Sequence, residues 1–380
     1  MLSREIVLAA LNHEETERVP IAIGGSASKF YTSTTLELMK HYGIPEERIQ
    51  YAAAGFKYIT FSDELWEKMG IDVRYIYPDT HGEKLLEAQK NHGVFINKWG
   101  SKFTFRDDDG EHLNIEEDVV LPDATIEDLD KYKWPKPGPE ILKGLKERAE
   151  KLKNDNRYAI GMYRPLEVGV FNTARYFLRG SVKFFEDMLL NKDFAIELLK
   201  RIRKVQEDYY IYLLKEVGEM VDIVDIEEDL GMQDRPMISP QLYRELIKPE
   251  HEKLISTIKK HAPQAKVLLH CDGSVKELIA DFIDAGVDIL NPIQVNAKGM
   301  ELKTLKKEFG KNIIFAGAVD VQKPMMGSIE DVERCVKETI DIMAPGGGYL
   351  LGPSHNFSSN ISYINIIAMV ETARNYRFRK

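Results

Sequence analysis

From residue 158 onward the chain repeats one pattern: a short apolar run, a turn, and a longer segment with apolar residues at helical spacing. The runs are Tyr158 to Met162, Val221 to Ile226, Lys266 to His270, Asp288 to Pro292, Ile313 to Gly317 and Gly348 to Gly352. Between and after them, helical spacing is found at about 194–219, 240–261, 275–285, 302–309, 330–343 and 361–375. Such alternation predicts parallel strands joined by crossover helices. Val19 to Ile23 and Val73 to Tyr77 would bring the strands to eight, so the expected fold is an α/β protein of the (β/α)8 TIM type. An open doubly wound sheet would carry a glycine-rich phosphate turn after its first strand. No G-x-G-x-x-G occurs, and Gly346-Gly347-Gly348 precedes a strand instead of following one. Residues 82–121 break the rhythm with alternating stretches, Gly93 to Trp99 and Lys102 to Arg106, before the turn residues Asp107 to Gly110. They read as a β-hairpin insertion in a single domain spanning 1–380.

Composition narrows the function. The chain has 52 Lys and Arg against 61 Asp and Glu, a net charge of −9, and no basic run interleaved with aromatics, which argues against a nucleic-acid partner. Cys271 and Cys335 are too few for a disulfide framework. The N-terminus is charged within its first five residues, and no run reaches the roughly 18–20 apolar residues of a membrane span. The expectation is a cytoplasmic protein without membrane contact.

In a barrel of this kind chemistry belongs at the C-terminal ends of the strands, where side chains leave the packed interior. Four runs finish in titratable groups: Glu227-Glu228-Asp229, His270-Cys271-Asp272, Asp320, and His355 followed by Asn356. Several ionisable groups at one rim must either pair with one another or share a cation. Asp320 alone could cap a helix, Cys335 falls on the apolar face of its helix, and the other seven histidines lie on polar stretches. His270 and Asp272 are two apart, so on an extended chain they face one way, and His355 is expected from a neighbouring strand. Two imidazoles and a carboxylate can hold Zn²⁺ with an open position. They are equally an acid/base set.

Particular motifs also carry a likeness: Leu11 to Pro20, Phe61-Ser62-Asp63, Met69 to Val73, Asp229 to Gln233, Ile238 to Pro240, His270 to Val275, Gly286 to Gln294, and His355-Asn356 with Asn365. In these the chain resembles the uroporphyrinogen decarboxylase-like superfamily, which contains the decarboxylases and the corrinoid- or coenzyme M-linked methyltransferases. The resemblance implies a TIM-type barrel. It also implies a difference, since the decarboxylases place arginines after the early Val-Pro to clamp porphyrinogen carboxylates, and here Val19-Pro20 leads into Gly24-Gly25-Ser26-Ala27-Ser28-Lys29. One lysine does not replace bidentate donors. Thiol-activating methyltransferases carry His-x-Cys where this chain has His270-x-Asp272, with a later Cys where His355 falls.

The resemblance therefore implies an O-demethylase type of methyltransferase, moving a methyl group from a small donor, an aromatic methyl ether, to a corrinoid. No Asp-x-His-x-x-Gly motif is present, so the corrinoid (cobalamin) would be supplied by a partner protein. On this reading His270, Asp272 and His355 hold zinc or act as the acid, and Glu228 and Asp229 complete the shell or orient substrate. Asp63, Asn291, Gln294 and Asn356 line the pocket, and a homodimer is the expected assembly. The alternative is decarboxylation of a porphyrin-like substrate with Asp63 as the catalytic carboxylate, and a catalytically silent binding barrel is the third reading.

Overall fold

The computed structural model describes residues 1–54, 57–79, 83–91, 93–105, 113–115 and 119–378. Its strands, in chain order, are β1 (Gln50–Ala54), β2 (Lys57–Phe61), β3 (Val73–Ile76), β4 (Val94–Ile96), β5 (Lys102–Phe105), β6 (Leu113–Ile115), β7 (Ala159–Met162), β8 (Ile223–Glu227), β9 (Lys266–His270), β10 (Ile289–Asn291), β11 (Ile314–Val319) and β12 (Tyr349–Pro353). Seven of them form one curled parallel sheet in the order β12, β11, β10, β9, β8, β7, β3. Every residue of β8, β11 and β12 is buried, as expected of parallel strands covered on both faces.

The run at Val19–Ile23 makes a single bridge, Ile21 to Leu351, in place of the full strand expected. Leu351 N–H donates to the Pro20 carbonyl and Ala22 N–H to the Leu351 carbonyl, each at 2.8 Å, while Asp72 N–H donates to the Ile21 carbonyl at 2.9 Å. The segment thus touches both edges of the seven-stranded sheet. Pro20 has no N–H to give, which keeps the ladder short.

The crossover helices follow the sequence pattern closely. Ile329–Met343 buries Val332, Val336, Thr339, Ile340 and Met343 on one face, and Ser328 and Asp331 close a reciprocal capping box at its start. The expected helix at 240–261 differs in being interrupted by a π-helical turn, Tyr243–Ile247, before Lys248–His261. Within the 82–121 insertion a helix, Glu83–Lys90, precedes β4, and β4, β5 and β6 make a three-stranded antiparallel sheet where a two-stranded hairpin was expected. The expected turn Asp107 to Gly110 lies outside the described residues. No helix among the described residues is long and apolar enough to cross a membrane.

One device recurs at the N-terminal ends of the strands. Asp72, Asp222 and Asp288 each immediately precede a strand and bond two neighbours at once. Their carboxylates accept from the backbone N–H of Ile21 at 2.8 Å, Ile160 at 2.9 Å and Val267 at 2.8 Å. Their carbonyls accept from Ala159 at 3.2 Å, Lys266 at 2.9 Å and Ile314 at 2.9 Å on the other side. Each carboxylate also meets a cation: Arg18 at 2.6 Å, Arg4 at 2.7 Å and Lys259 at 2.9 Å. Asp72 and Asp222 are buried with an arginine forked on both oxygens, whereas the Asp288 side chain is 22% exposed beside a single lysine.

Removing a buried partner leaves both an orphaned amide and an uncompensated guanidinium. Asp72→Ala and Asp222→Ala should each lower the free energy of unfolding by about 3 kcal/mol in urea titrations, and Asp288→Ala by about 1 kcal/mol. Equal losses at all three positions would contradict the clamp description.

Candidate functional site

β8, β9 and β10 are consecutive in the sheet, and their register places Glu227 beside His270 and His270 beside Asn291 in one row. The chain leaving each strand extends this row into a rim. Glu228 N–H donates to the His270 carbonyl at 2.8 Å, and Cys271 N–H donates to the Asn291 carbonyl at 2.7 Å. Asp272 N–H donates to Asp229 Oδ1 at 3.1 Å, and Gly273 N–H donates to Gln294 Oε1 at 2.9 Å. The two loops meet backbone to backbone: a Cβ on Gly231 would stand 2.2 Å from the Asp272 carbonyl oxygen, so only glycine fits there.

His270 is buried, and its Nδ1 is 3.1 Å from Asn291 Oδ1. An amide oxygen only accepts, so Nδ1 is the donor of this bond and Nε2 is the nitrogen turned to the rim. Nε2 lies 3.6 Å from Asp272 Oδ2 and 3.8 Å from Asp229 Oδ1. Among the described residues, one ligand atom from each of Asp229, His270 and Asp272 falls within 4.8 Å of the others, close enough to share an ion. Asp272 Oδ1 is buried and has no hydrogen-bond partner. A carboxylate oxygen in that condition is costly without a donor or a cation.

The expected third ligand, His355, is displaced from this group by Asp229. Its strand, β12, is separated from β9 by β10 and β11, so it is not the neighbour that the sequence suggested. His355 instead reaches across the mouth, with Nε2 3.4 Å from Asp272 Oδ2 and 52% of its side chain exposed. Asp272 raises the His355 imidazole's affinity for a proton, against the effect of burial. Burial would lift the Asp272 carboxyl, but His270 and the His355 bond together hold it below the usual carboxylate range.

Other expected residues divide in the same way. Glu228 is fully buried and turned inward, where its oxygens accept from the N–H groups of Phe171 and Asn172 at 2.9 Å each and face His251 Nε2 at 3.1 Å. It caps the helix beginning at Val170 and has no part in the rim's shell. Asn356 accepts from the Lys29 N–H at 2.9 Å. Asp63 is held in both oxygens by Arg148, at 2.8 Å each, and Arg148 also keeps its carboxyl low against burial.

Two residues escaped the sequence reading. His251 was placed on a polar stretch but is buried on the same helical stripe as Leu254, Ile255 and Ile258, with Nδ1 3.0 Å from the Tyr243 hydroxyl. Its position on an apolar stripe was the available signal. Arg164 lies two residues beyond the end of β7, and the rule that singled out the other strand ends applies to it equally.

Deeper in the interior, burial pushes Glu227 well above its ordinary range, with Asp229 and Glu228 adding to the effect. Asp225 is pushed up to about 6 by burial, against Arg164 and two bonds from Ser26. The lower reach of this site is therefore rich in acids that hold their protons more tightly than usual.

The model described as Uroporphyrinogen decarboxylase (URO-D) matches residues 94–376, well over half of the chain. The chain belongs to the uroporphyrinogen decarboxylase family. Among solved structures, this family member is similar to a methyltransferase from Methanosarcina mazei, with 18% identity, a TM-score of 0.63 and coverage of 98% of each chain. It is also similar to a B12-independent methionine synthase from Shewanella sp. W3-18-1 in complex with selenomethionine, with 12% identity, a TM-score of 0.43, and coverage of 94% of this chain and 96% of that one. The first of these likenesses is one of fold. No curated protein matches closely enough to count as a relative.

Asp225 gives this uroporphyrinogen decarboxylase family member a pH signature. Its folded value of about 6 lies above the ordinary 3.8, so the folded state keeps a proton that the unfolded chain releases. Its contribution to stability is full below pH 3.8 and is lost as pH rises to about 6. Asp225→Asn does not titrate, so its stability relative to the parent should rise by about 2–3 kcal/mol between pH 4 and pH 7. A difference that stays flat in urea unfolding across that interval would contradict the buried carboxyl.

Proposed function

We propose that the chain is a methyltransferase, taking a methyl group from a small methylated donor, an aromatic methyl ether, and passing it to the cobalt of a separate corrinoid protein. The observation that carries this reading is the group of Asp229, His270 and Asp272, with an imidazole nitrogen and an unpartnered carboxylate oxygen at one rim. It is a sulfur-free donor set. Cys271, between two of its members, is buried with Sγ accepting from Leu230 N–H at 3.3 Å, and burial keeps its thiol protonated. Activating a thiol substrate suits thiolate-bound zinc, while an oxygen substrate suits a harder nitrogen and oxygen site. The fold shared with the Methanosarcina methyltransferase is compatible with this reading.

Asp229, His270 and Asp272 would hold a divalent ion such as Zn²⁺, which supplies Lewis acidity toward the ether oxygen. The chain's own residues do the remaining work. Asn291 fixes the ring of His270, and Asp229 orients Asp272 through its N–H. Gln294 holds Gly273 and so the loop behind Asp272. His355, at the open mouth, is placed to carry a proton at Nε2 for a departing oxygen, which is too basic to leave unassisted. The decarboxylase alternative would rest on Asp63, which Arg148 engages at both oxygens.

The purified protein should retain about one divalent ion per chain after dialysis, and His270→Ala and Asp229→Ala should lose it while His355→Ala keeps it. With a methoxylated aromatic donor and a cobalt(I) corrinoid protein, methylcobalt should form, and His270→Ala should slow it by about 10²–10⁴-fold. Release of carbon dioxide from uroporphyrinogen that is abolished by Asp63→Asn and untouched by His270→Ala would overturn the assignment.

A further inference from the structure

Glu228 stands between the last residue of β8 and the rim carboxylate of Asp229, and it is bonded through both main chain and side chain. Its N–H donates to the His270 carbonyl at 2.8 Å, and its two side-chain oxygens accept from the N–H groups of Phe171 and Asn172 at 2.9 Å each. Its Oε2 also lies 3.1 Å from His251 Nε2. The loop after β7 closes on the same residue, since a Cβ on Gly169 would stand 1.9 Å from the Glu227 carbonyl oxygen and 2.8 Å from Glu228 Cδ.

Behind Glu228 the bonding continues. His251 Nδ1 is 3.0 Å from the Tyr243 hydroxyl, so the imidazole joins Glu228 to Tyr243 through its two nitrogens. Tyr243 and His251 are both buried, and the Tyr243 ring meets Phe282 edge-on with 5.6 Å between centroids. This line of contacts joins two irregular helices. Tyr243 opens the π-helical turn Tyr243–Ile247 and Pro249 enters the first turn of Lys248–His261, so Tyr243 and His251 meet across that junction. The helix that Glu228 caps, Val170–Thr173, runs into a second π-helical turn, Ala174–Leu178. Such turns are frequent at functional sites.

Leu254, Ile255 and Ile258 show that packing on this face of the helix needs only an apolar side chain. A buried imidazole there costs desolvation and is kept with both nitrogens engaged. What it adds to packing is a hold on Glu228, one peptide away from Asp229.

We propose that His251, itself held by Tyr243, is a positioning residue for the rim: by fixing Glu228 it sets where the Asp229 carboxylate stands relative to His270 and Asp272, and so the site's affinity for a divalent ion. The inference rests on the metal-site reading of the preceding section. Asp229 Oδ1 is 3.8 Å from His270 Nε2 and accepts from the Asp272 N–H at 3.1 Å, so a displaced Glu228 disturbs one ligand directly and the loop of another through it. Partners behind the ligands are worth about 10–100-fold in metal affinity.

The test is the Zn²⁺ affinity of the full-length protein, read by competition with a chromophoric chelator, together with the visible absorption of its Co²⁺ form. His251→Leu should weaken Zn²⁺ binding by about 10–100-fold and alter the Co²⁺ spectrum. His251→Gln, whose amide can bond to Glu228, should recover most of the affinity, and Tyr243→Phe should lose part of it. Leu254→Ala removes packing from the same stripe without touching the link, so it should lower the unfolding midpoint and leave affinity and spectrum as in the parent. Tyr243→Phe deletes a single hydroxyl, which keeps the test in force if His251→Leu does not fold. Parental affinity in either His251→Leu or Tyr243→Phe would overturn the inference and leave the metal reading standing, as would a loss in Leu254→Ala as large as that in His251→Leu. A parent protein that binds no Zn²⁺ would overturn the metal reading and the inference with it.

Discussion

The row of Glu227, His270 and Asn291 exists only because β8, β9 and β10 are held in register. In a sheet buried on both faces, a slip of one residue would turn each of these side chains to the opposite face and break the rim apart. The register is pinned at the far end of the same strands, where Asp222 and Asp288 tie each strand to its two neighbours through carboxylate and carbonyl. The N-terminal end of the sheet therefore fixes the geometry of the C-terminal end. Parallel topology makes this division of labour available, since all strands point one way.

Electrostatics then sorts four clustered acids into different roles. Glu228 is satisfied internally by two backbone amides and faces His251, so it can be wholly buried. Glu227 lies in the most enclosed position, and burial favours its protonated form. Asp229 and Asp272 sit at the rim, partly exposed and within 4 Å of the imidazoles of His270 or His355. Neighbouring residues of one short segment thus become a helix cap, an interior acid that burial makes hold its proton more tightly, and a ligand candidate through burial and partners alone.

Much of the parallel sheet was legible in the sequence because its strands are continuous apolar runs and its helices keep one apolar stripe. The Val19–Ile23 run misled because a bridge and a strand have the same composition, and Pro20 alone hinted at the shorter ladder. At the site, His270 and Asp272 were legible from a strand end, and Asn291 from the motif that carries the family resemblance. Asp229, expected to complete the shell, falls within the group of His270 and Asp272 while His355 stands outside it, because sequence does not show which strands are adjacent across a curled sheet. Glu228 was misplaced because an acid that caps a helix looks the same as one that faces a pocket. His251 and Arg164 were missed because their partners, Glu228 and Ser26, lie 23 and 138 residues away in sequence.

The central claim is that this rim is a metal-binding site of one imidazole and two carboxylates, and X-ray absorption at the metal edge reads those ligands directly. The account predicts a nitrogen and oxygen shell with the outer-sphere signature of a single imidazole and no sulfur. A sulfur shell, which would bring Cys271 into the site, or a second imidazole, which would restore His355, would contradict it.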